Sequence, residues 1–291
     1  MDTFDSSDSD ADSMVWYDDD AAALVARLLH DQASGMVIDD LELQDGANMS
    51  LERVGLPQTL RELTFYGSWN QSMEMVALPA QLQELTFGSD FDQPLDKVTL
   101  PRDLRELTFD DDSMFNQPMH GVALPAGLQA LSFYGRMFNQ PLEAVAFPAF
   151  LGQMNLDSRP FNQSMEKVAL PAHLRHLTFG HAYNQSMEKV ALPASLMRLI
   201  FGHKFNQCME KVALPAGLRS LVFGHDYNQC MEMVALPAAL FLLDFGECFH
   251  QNMEKVALPN NLRHLKLPFL SAKTIFTNVL PNDIEITFIP S

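Results

Sequence analysis

The sequence predicts a mainly β solenoid of about ten stacked coils, each about 22 residues with one parallel strand, closed at the N-terminal end by a short helix. Three observations predict it. Leu-Pro recurs at Leu56, Leu78, Leu100, Leu124, Leu170, Leu192, Leu214, Leu236, Leu258 and Leu280, with Phe147-Pro148 in the one gap. The spacing is 22 residues, stretching to 23 or 24 only between Leu100 and Leu170. After each pair comes an alternating segment such as Leu60, Leu63 and Phe65, with Glu62, Thr64 and Tyr66 between, which is the period of a strand. A turn then carries an aromatic residue followed by Asn and Gln in most coils, as in Phe205-Asn206-Gln207.

Four segments follow in order. Residues 1–18 read as a disordered acidic tail. The first twenty residues hold eight aspartates and no Lys or Arg, too little apolar surface to offset the entropy of ordering. Residues 19–35 read as a capping helix, with Leu24, Val25, Leu28 and Leu29 at helical spacing. The solenoid occupies 36–267, beginning with a worn first coil in which Ile38, Leu41 and Leu43 stand 22 residues before Leu60, Leu63 and Phe65. Residues 268–291 break the pattern and read as a C-terminal cap built on Pro268, Ile284, Ile286, Phe288 and Pro290.

Inside the coils, Trp69, Phe91, Phe115, Phe138, Phe161, Tyr183, Phe205, Tyr227 and Phe249 form one predicted core column. Met or Leu forms the next, from Met73 to Met253, and the free exchange between the two marks flexible core filling rather than a soft-metal ladder. The Asn and Gln of each turn are predicted to satisfy backbone groups within a coil and in the next one. Strands pairing at about 4.8 Å per coil give a stack about 50 Å long.

Composition excludes several functions. The formal charge is −18. An acidic surface repels phosphates, which argues against nucleic acid. The sequence shows neither a membrane span nor a secretory signal. Cys208, Cys230 and Cys248 are too few for a disulfide framework, so an intracellular, cytoplasmic setting is expected.

The unit LPASLMRLIFGHKFNQ at Leu192 to Gln207, with FNQPM at Phe115 to Met119 and FNQPL at Phe138 to Leu142, resembles the FNIP repeat over about residues 36–280. That resemblance implies a leucine-rich-repeat-like solenoid used for protein binding. It transfers no catalytic residue and no cofactor.

Outward strand positions are unconstrained by packing and form the candidate binding face. One column reads Glu62, Glu84, Glu106, Ala130, Asn155, His176 and Arg198; the next reads Thr64, Thr86, Thr108 and Ser132. By this count Leu156 falls in the outward Thr column, so a register slip is expected there. A third column reads Tyr66, Gly88, Asp110, Tyr134 and Asp157, then glycines from Gly180. Stacked glutamates repel unless a cation meets them. Glu62, Thr64, Tyr66, Glu84, Glu106, Asp110 and Tyr134 are therefore the predicted contact residues for a protein or peptide bearing Lys or Arg. The runner-up readings are a structural or assembly module and a carbohydrate-active enzyme. The latter needs two carboxylates in a cleft, and Asp110 and Asp157 lie two coils, about 10 Å, apart. No metal is expected. Asp110 to Asp112 lack a calcium loop, and His181, His203 and His225 read as one solvated column. The Thr column decays to Ile200, Val222 and Asp244, which removes an ice-binding reading.

Overall fold

The computed structural model describes residues 13–18, 20–268 and 284–289. Most of the acidic tail, including Ser6, Ser7 and Ser9, and most of the C-terminal cap, including Leu280 and Pro290, lie outside the described residues.

The alternating segments form one parallel sheet in strict chain order. Its strands are β1 (Ser13–Trp16), β2 (Asp40–Leu43), β3 (Glu62–Phe65), β4 (Glu84–Phe87), β5 (Glu106–Phe109), β6 (Ala130–Phe133) and β7 (Gln153–Leu156). The sheet continues with β8 (His176–Phe179), β9 (Arg198–Ile200), β10 (Ser220–Val222), β11 (Leu242–Asp244), β12 (His264–Pro268) and β13 (Glu285–Ile289). Strands β2 to β12 give eleven coils, one more than the sequence suggests. Every coil returns its strand beside the previous one, so each coil buries its apolar set only against its neighbours.

Burial follows the alternation. Leu63 and Phe65 are inside while Glu62 is exposed, and the same pattern holds in β4, β5 and β8. Strand and turn aromatics interleave as two stacked columns. Phe65 lies 3.9 Å from Trp69 within a coil and 5.5 Å from Phe87 in the next. The same spacing recurs at Phe223, 3.7 Å from Tyr227 and 5.6 Å from Phe245. Leu156 is the one strand position in this run without a ring. The Met/Leu column is buried throughout, and the hydroxyls of Tyr183 and Tyr227 donate to the sulfurs of Met187 and Met231 at 3.2 and 3.0 Å. Burial pushes both tyrosines well above the ordinary phenol value.

The turn amides bind coil to coil. Asn184 Oδ1 accepts the backbone N–H of Asn206 at 2.9 Å and the Gln207 side-chain amide at 2.9 Å, and this unit repeats along the stack. Glycine after the strand has a steric cause in the second half. A Cβ on Gly202 or Gly224 would strike the carbonyl oxygen of the glycine one coil back, so successive coils touch backbone to backbone there.

Helix α1 (Ala21–Ala33) starts at Asp20, whose carboxylate accepts from the backbone N–H of Ala22 at 2.9 Å. It covers the open end with Leu24 and Leu28, whereas Leu29 faces solvent, 61% exposed.

Three expectations need correction. Residues 13–16 are not a tail: they pair with β2 and lengthen the sheet by a strand. The C-terminal segment does not break the pattern entirely, since β13 pairs with β12 in parallel. The register does not slip in the sixth coil, that of β7. Gln153 lies beside His176, Asn155 beside Thr178 and Leu156 beside Phe179, so Gln153 takes the Glu62 column and Asn155 the Thr64 column. The anchor is Gln129, whose carbonyl accepts the N–H groups of both Gly152 and Gln153.

Candidate functional site

The strand face of the first half is built from adjacent strand positions. Asp40 pairs with Glu62, Glu62 with Glu84, and Glu84 with Glu106, so four acids lie side by side across β2 to β5. Glu42, beside Thr64, adds a fifth. None of the ion pairs among the described residues involves Glu62, Glu84 or Glu106. Partial burial and then the charges of Glu84, Asp40, Asp39 and Glu106 hold the Glu62 carboxyl above the ordinary glutamate range. Burial and then Glu106 and Asp40 do the same for Glu84.

The structure brings all seven expected contact residues onto one continuous surface across β3 to β6. Thr64 is half-buried between the acids and the core edge. Tyr66, Asp110 and Tyr134 follow their strands, fixed by backbone bonds to Leu43, Phe87 and Phe109 of the preceding coils. Gly88 lies between Tyr66 and Asp110 and carries no side chain. Burial raises the Tyr66 phenol, helped by the charges of Glu42, Asp40 and Asp110. Burial likewise raises the Asp110 carboxyl, against bonds from the backbone of Asp112 and Ser113, and its Oδ1 is buried without a hydrogen-bond partner. The pocket beside Asp110 is an open depression of about 330 Å³ bordered by Thr108 and Tyr134, not an enclosed cleft. Arg136 is drawn to Asp112, its Nε donating at 2.7 Å.

Sequence reasoning missed a second region. Arg198, Arg219 and Arg263 border an open cavity of about 770 Å³ in the second half, together with Phe241. Arg219, Phe241 and Arg263 each stand one residue before a strand, outside the columns read from the sequence. The signal available was the recurrence of Arg at that position from Arg61 onward. The region therefore reverses sign along one face.

A third cluster surrounds the histidine column. The rings of His203 and His225 stack with centroids 4.5 Å apart, and that of His181 lies tilted against His203 at 4.6 Å. His225 Nδ1 lies 2.7 Å from Asp226 Oδ1, and His203 Nδ1 lies 3.6 Å from the same oxygen. The hydrogen bond to Asp226, then Glu247, holds the His225 imidazole above its ordinary value, while burial and then His203 lower that of His181. On the opposite turn, Glu166 meets Lys189 and Glu188 meets Lys211 at 3.0 and 3.4 Å, exposed pairs that stabilise little.

A family model described as FNIP Repeat matches residues 69–112, 115–151, 161–204 and 205–248, more than half of the chain. The chain belongs to the FNIP repeat family. Among solved structures, the FNIP chain is similar to CroV588, described as a circular leucine-rich-repeat protein, at 26% identity and a TM-score of 0.48. That alignment covers 88% of this chain and 54% of the other, so the chain spans about half of CroV588's length. A leucine-rich-repeat protein from Bacteroides ovatus aligns at 10% identity and a TM-score of 0.24, over 86% of this chain and 84% of that one. A leucine-rich cell surface protein from Faecalibacterium prausnitzii aligns at 11% and 0.21, over 88% and 80%. No curated protein matches the FNIP chain. Among the described residues, no helix is long and apolar enough to cross a membrane.

Proposed function

We propose that this FNIP solenoid is a non-catalytic scaffold that binds a protein or peptide through its strand face, with Lys or Arg of the partner meeting the acids of the first half. The supporting observation is the row Asp40, Glu62, Glu84 and Glu106 on adjoining strands. Burial first, and then their mutual repulsion, raises the carboxyls of Glu62 and Glu84, and an incoming cation relieves the repulsion. Tyr66, 38% exposed beside this row, supplies the aromatic anchor that contact surfaces favour. Three free, exposed cysteines fit an intracellular, reducing setting. The test is fluorescence anisotropy of a Lys/Arg-rich peptide against the full chain at rising salt. Binding that weakens with salt and is lost in E62K/E84K/E106K supports the reading; affinity unchanged by the triple reversal overturns it.

The sign reversal along the face favours a second reading, an assembly module in which the acidic half of one copy meets Arg198, Arg219 and Arg263 of another. Analytical ultracentrifugation distinguishes the two: self-association at low salt that disappears at high salt supports assembly, and a monomer at both supports the scaffold.

A further inference from the structure

The geometry points to a divalent transition-metal site, of the kind that takes Zn²⁺, formed by His203, His225 and Asp226, with the Cys248 thiol beside His225 as a fourth donor once its side chain turns toward the other three. Three of these groups already converge, their ligand atoms all within 4.8 Å of one another. Both imidazoles present Nδ1 to the same carboxylate oxygen: Asp226 Oδ1 is 2.7 Å from His225 and 3.6 Å from His203. Cys248 Sγ lies on the same edge, 3.5 Å from His225 Nδ1.

The His203–Asp226 and His225–Cys248 separations are close to those between a tetrahedral ion's ligands, while Cys248 Sγ lies outside the 4.8 Å group of the other three and joins it by rotation about its Cα–Cβ bond. Zn–N near 2.0–2.1 Å and Zn–S near 2.3 Å place nitrogen and oxygen donors roughly 3.3 Å apart, and nitrogen and sulfur roughly 3.5 Å apart. The His225–Asp226 contact is shorter because a proton sits between them. The ion replaces that proton, which leaves to solvent with the Cys248 thiol proton, and the two groups part by a few tenths of an ångström.

The other edge of His225 is arranged as metal-ligating histidines are. Its Nε2 lies 3.3 Å from Glu247 Oε2, so once the ion has displaced the Nδ1 proton, the proton that stays on Nε2 is directed at a carboxylate and the Nδ1 lone pair is free for the ion. The scaffold that holds the column is rigid. Backbone bonds run from Asp226 N to His203 O and from Cys248 N to His225 O, both 2.9 Å, so each donor is tied to the coil before it. The sequence reads the histidines as a solvated column because each directly follows a turn Gly; Asp226 stands beside His225 in the chain, and Cys248 joins from the next coil.

Such an ion spans three coils and clips them together, so binding raises the thermal midpoint as well as giving a direct signal. The test uses the full chain with Zn²⁺ and Co²⁺ salts: calorimetry for affinity and stoichiometry, melting with and without Zn²⁺, and the Co²⁺ absorption spectrum. The expected result is one ion per chain, tetrahedral Co²⁺ bands with a thiolate charge-transfer band that C248S removes, and binding roughly tenfold or more weaker in H203A/H225A. The C208S/C230S variant retains binding, which separates the site from the other exposed thiols. Circular dichroism of each variant shows whether it is folded, and exposed positions leave the core intact. Binding that survives H203A/H225A, or that disappears in C208S/C230S while H203A/H225A keeps it, overturns the site. So does the absence of any melting shift or heat with Zn²⁺ in the unmodified chain.

Discussion

Asn70 Oδ1 accepts the backbone N–H of Asp92, one coil further on, at 3.0 Å, and with the same oxygen takes the Gln93 side-chain amide at 2.9 Å. A single side chain thus satisfies one donor of the next coil's backbone and orients the amide beside it. Asp92 performs the same task for the following coil, accepting from Asn116 N at 2.8 Å. The oxygen, not the amide nitrogen, is therefore what this position needs.

That distinction is testable at Asn206, whose Oδ1 accepts from Asn228 N and Gln229 Nε2, each at 2.9 Å. Asn206→Ala leaves a half-buried backbone donor and a side-chain amide without that partner, at a cost of about 1–3 kcal/mol. Asn206→Asp keeps the acceptor and is expected to cost less. Urea unfolding of the two variants checks it; equal losses would show that the amide nitrogen matters after all.

The period, the core columns and the amide ladder were legible because each depends on one residue type recurring at one coil position. What escaped depends on neighbours that no single position records. Ser13–Trp16 lies among aspartates, and its strand exists because β2 offers an edge. The sixth coil ends its strand on Leu156 where its neighbours carry Phe, so counting placed Asn155 in the wrong column although Gln129 anchors the true register. The arginine cavity joins Arg198 to a column one residue before the strands, and the His225–Cys248 contact is diagonal, made by residues of different columns in adjoining coils. The acidic row was legible in Glu62, Glu84 and Glu106 and incomplete without Asp40.

Gly202 and Gly217 provide a matched pair. A Cβ at Gly202 would meet the Gly180 carbonyl at a distance that backbone cannot absorb, whereas at Gly217 the nearest atom is the Ala194 oxygen at an ordinary 3.5 Å. Gly202→Ala is expected to lose about 1–3 kcal/mol or more through forced separation of coils. Gly217→Ala is expected to be near neutral. Thermal melting of both reads the contrast.

Leu28 closes the N-terminal end of the stack, 2% exposed on α1. Leu28→Ala removes that cover and costs about 2–5 kcal/mol locally. Coils contact only their neighbours, so the damage should stay near the end. Hydrogen exchange is expected to accelerate in β1 and β2 while amides of β9 and β10 keep their protection. Uniform acceleration would show that the stack opens as one unit.

The acidic row makes stability depend on pH in a stated direction. The folded-state values of Glu62 and Glu84 are raised, by burial first and then by the neighbouring acids. The fold therefore favours the protonated forms: their contribution is full below the unfolded value, and it is lost as pH rises through the folded value. At neutral pH the charged row is a cost that Glu84→Gln lowers. Like charges on directly neighbouring strands destabilise by about 0.2–1 kcal/mol, so Glu84→Gln is expected to stabilise by that order near neutrality. The gain should vanish below the glutamate range, where the row is already neutral in the unmodified chain. Denaturant titrations of both proteins across pH measure the difference. A gain that persists unchanged in acid would assign it to packing at Glu84 rather than to charge, and would remove the electrostatic basis for a cationic partner on this face.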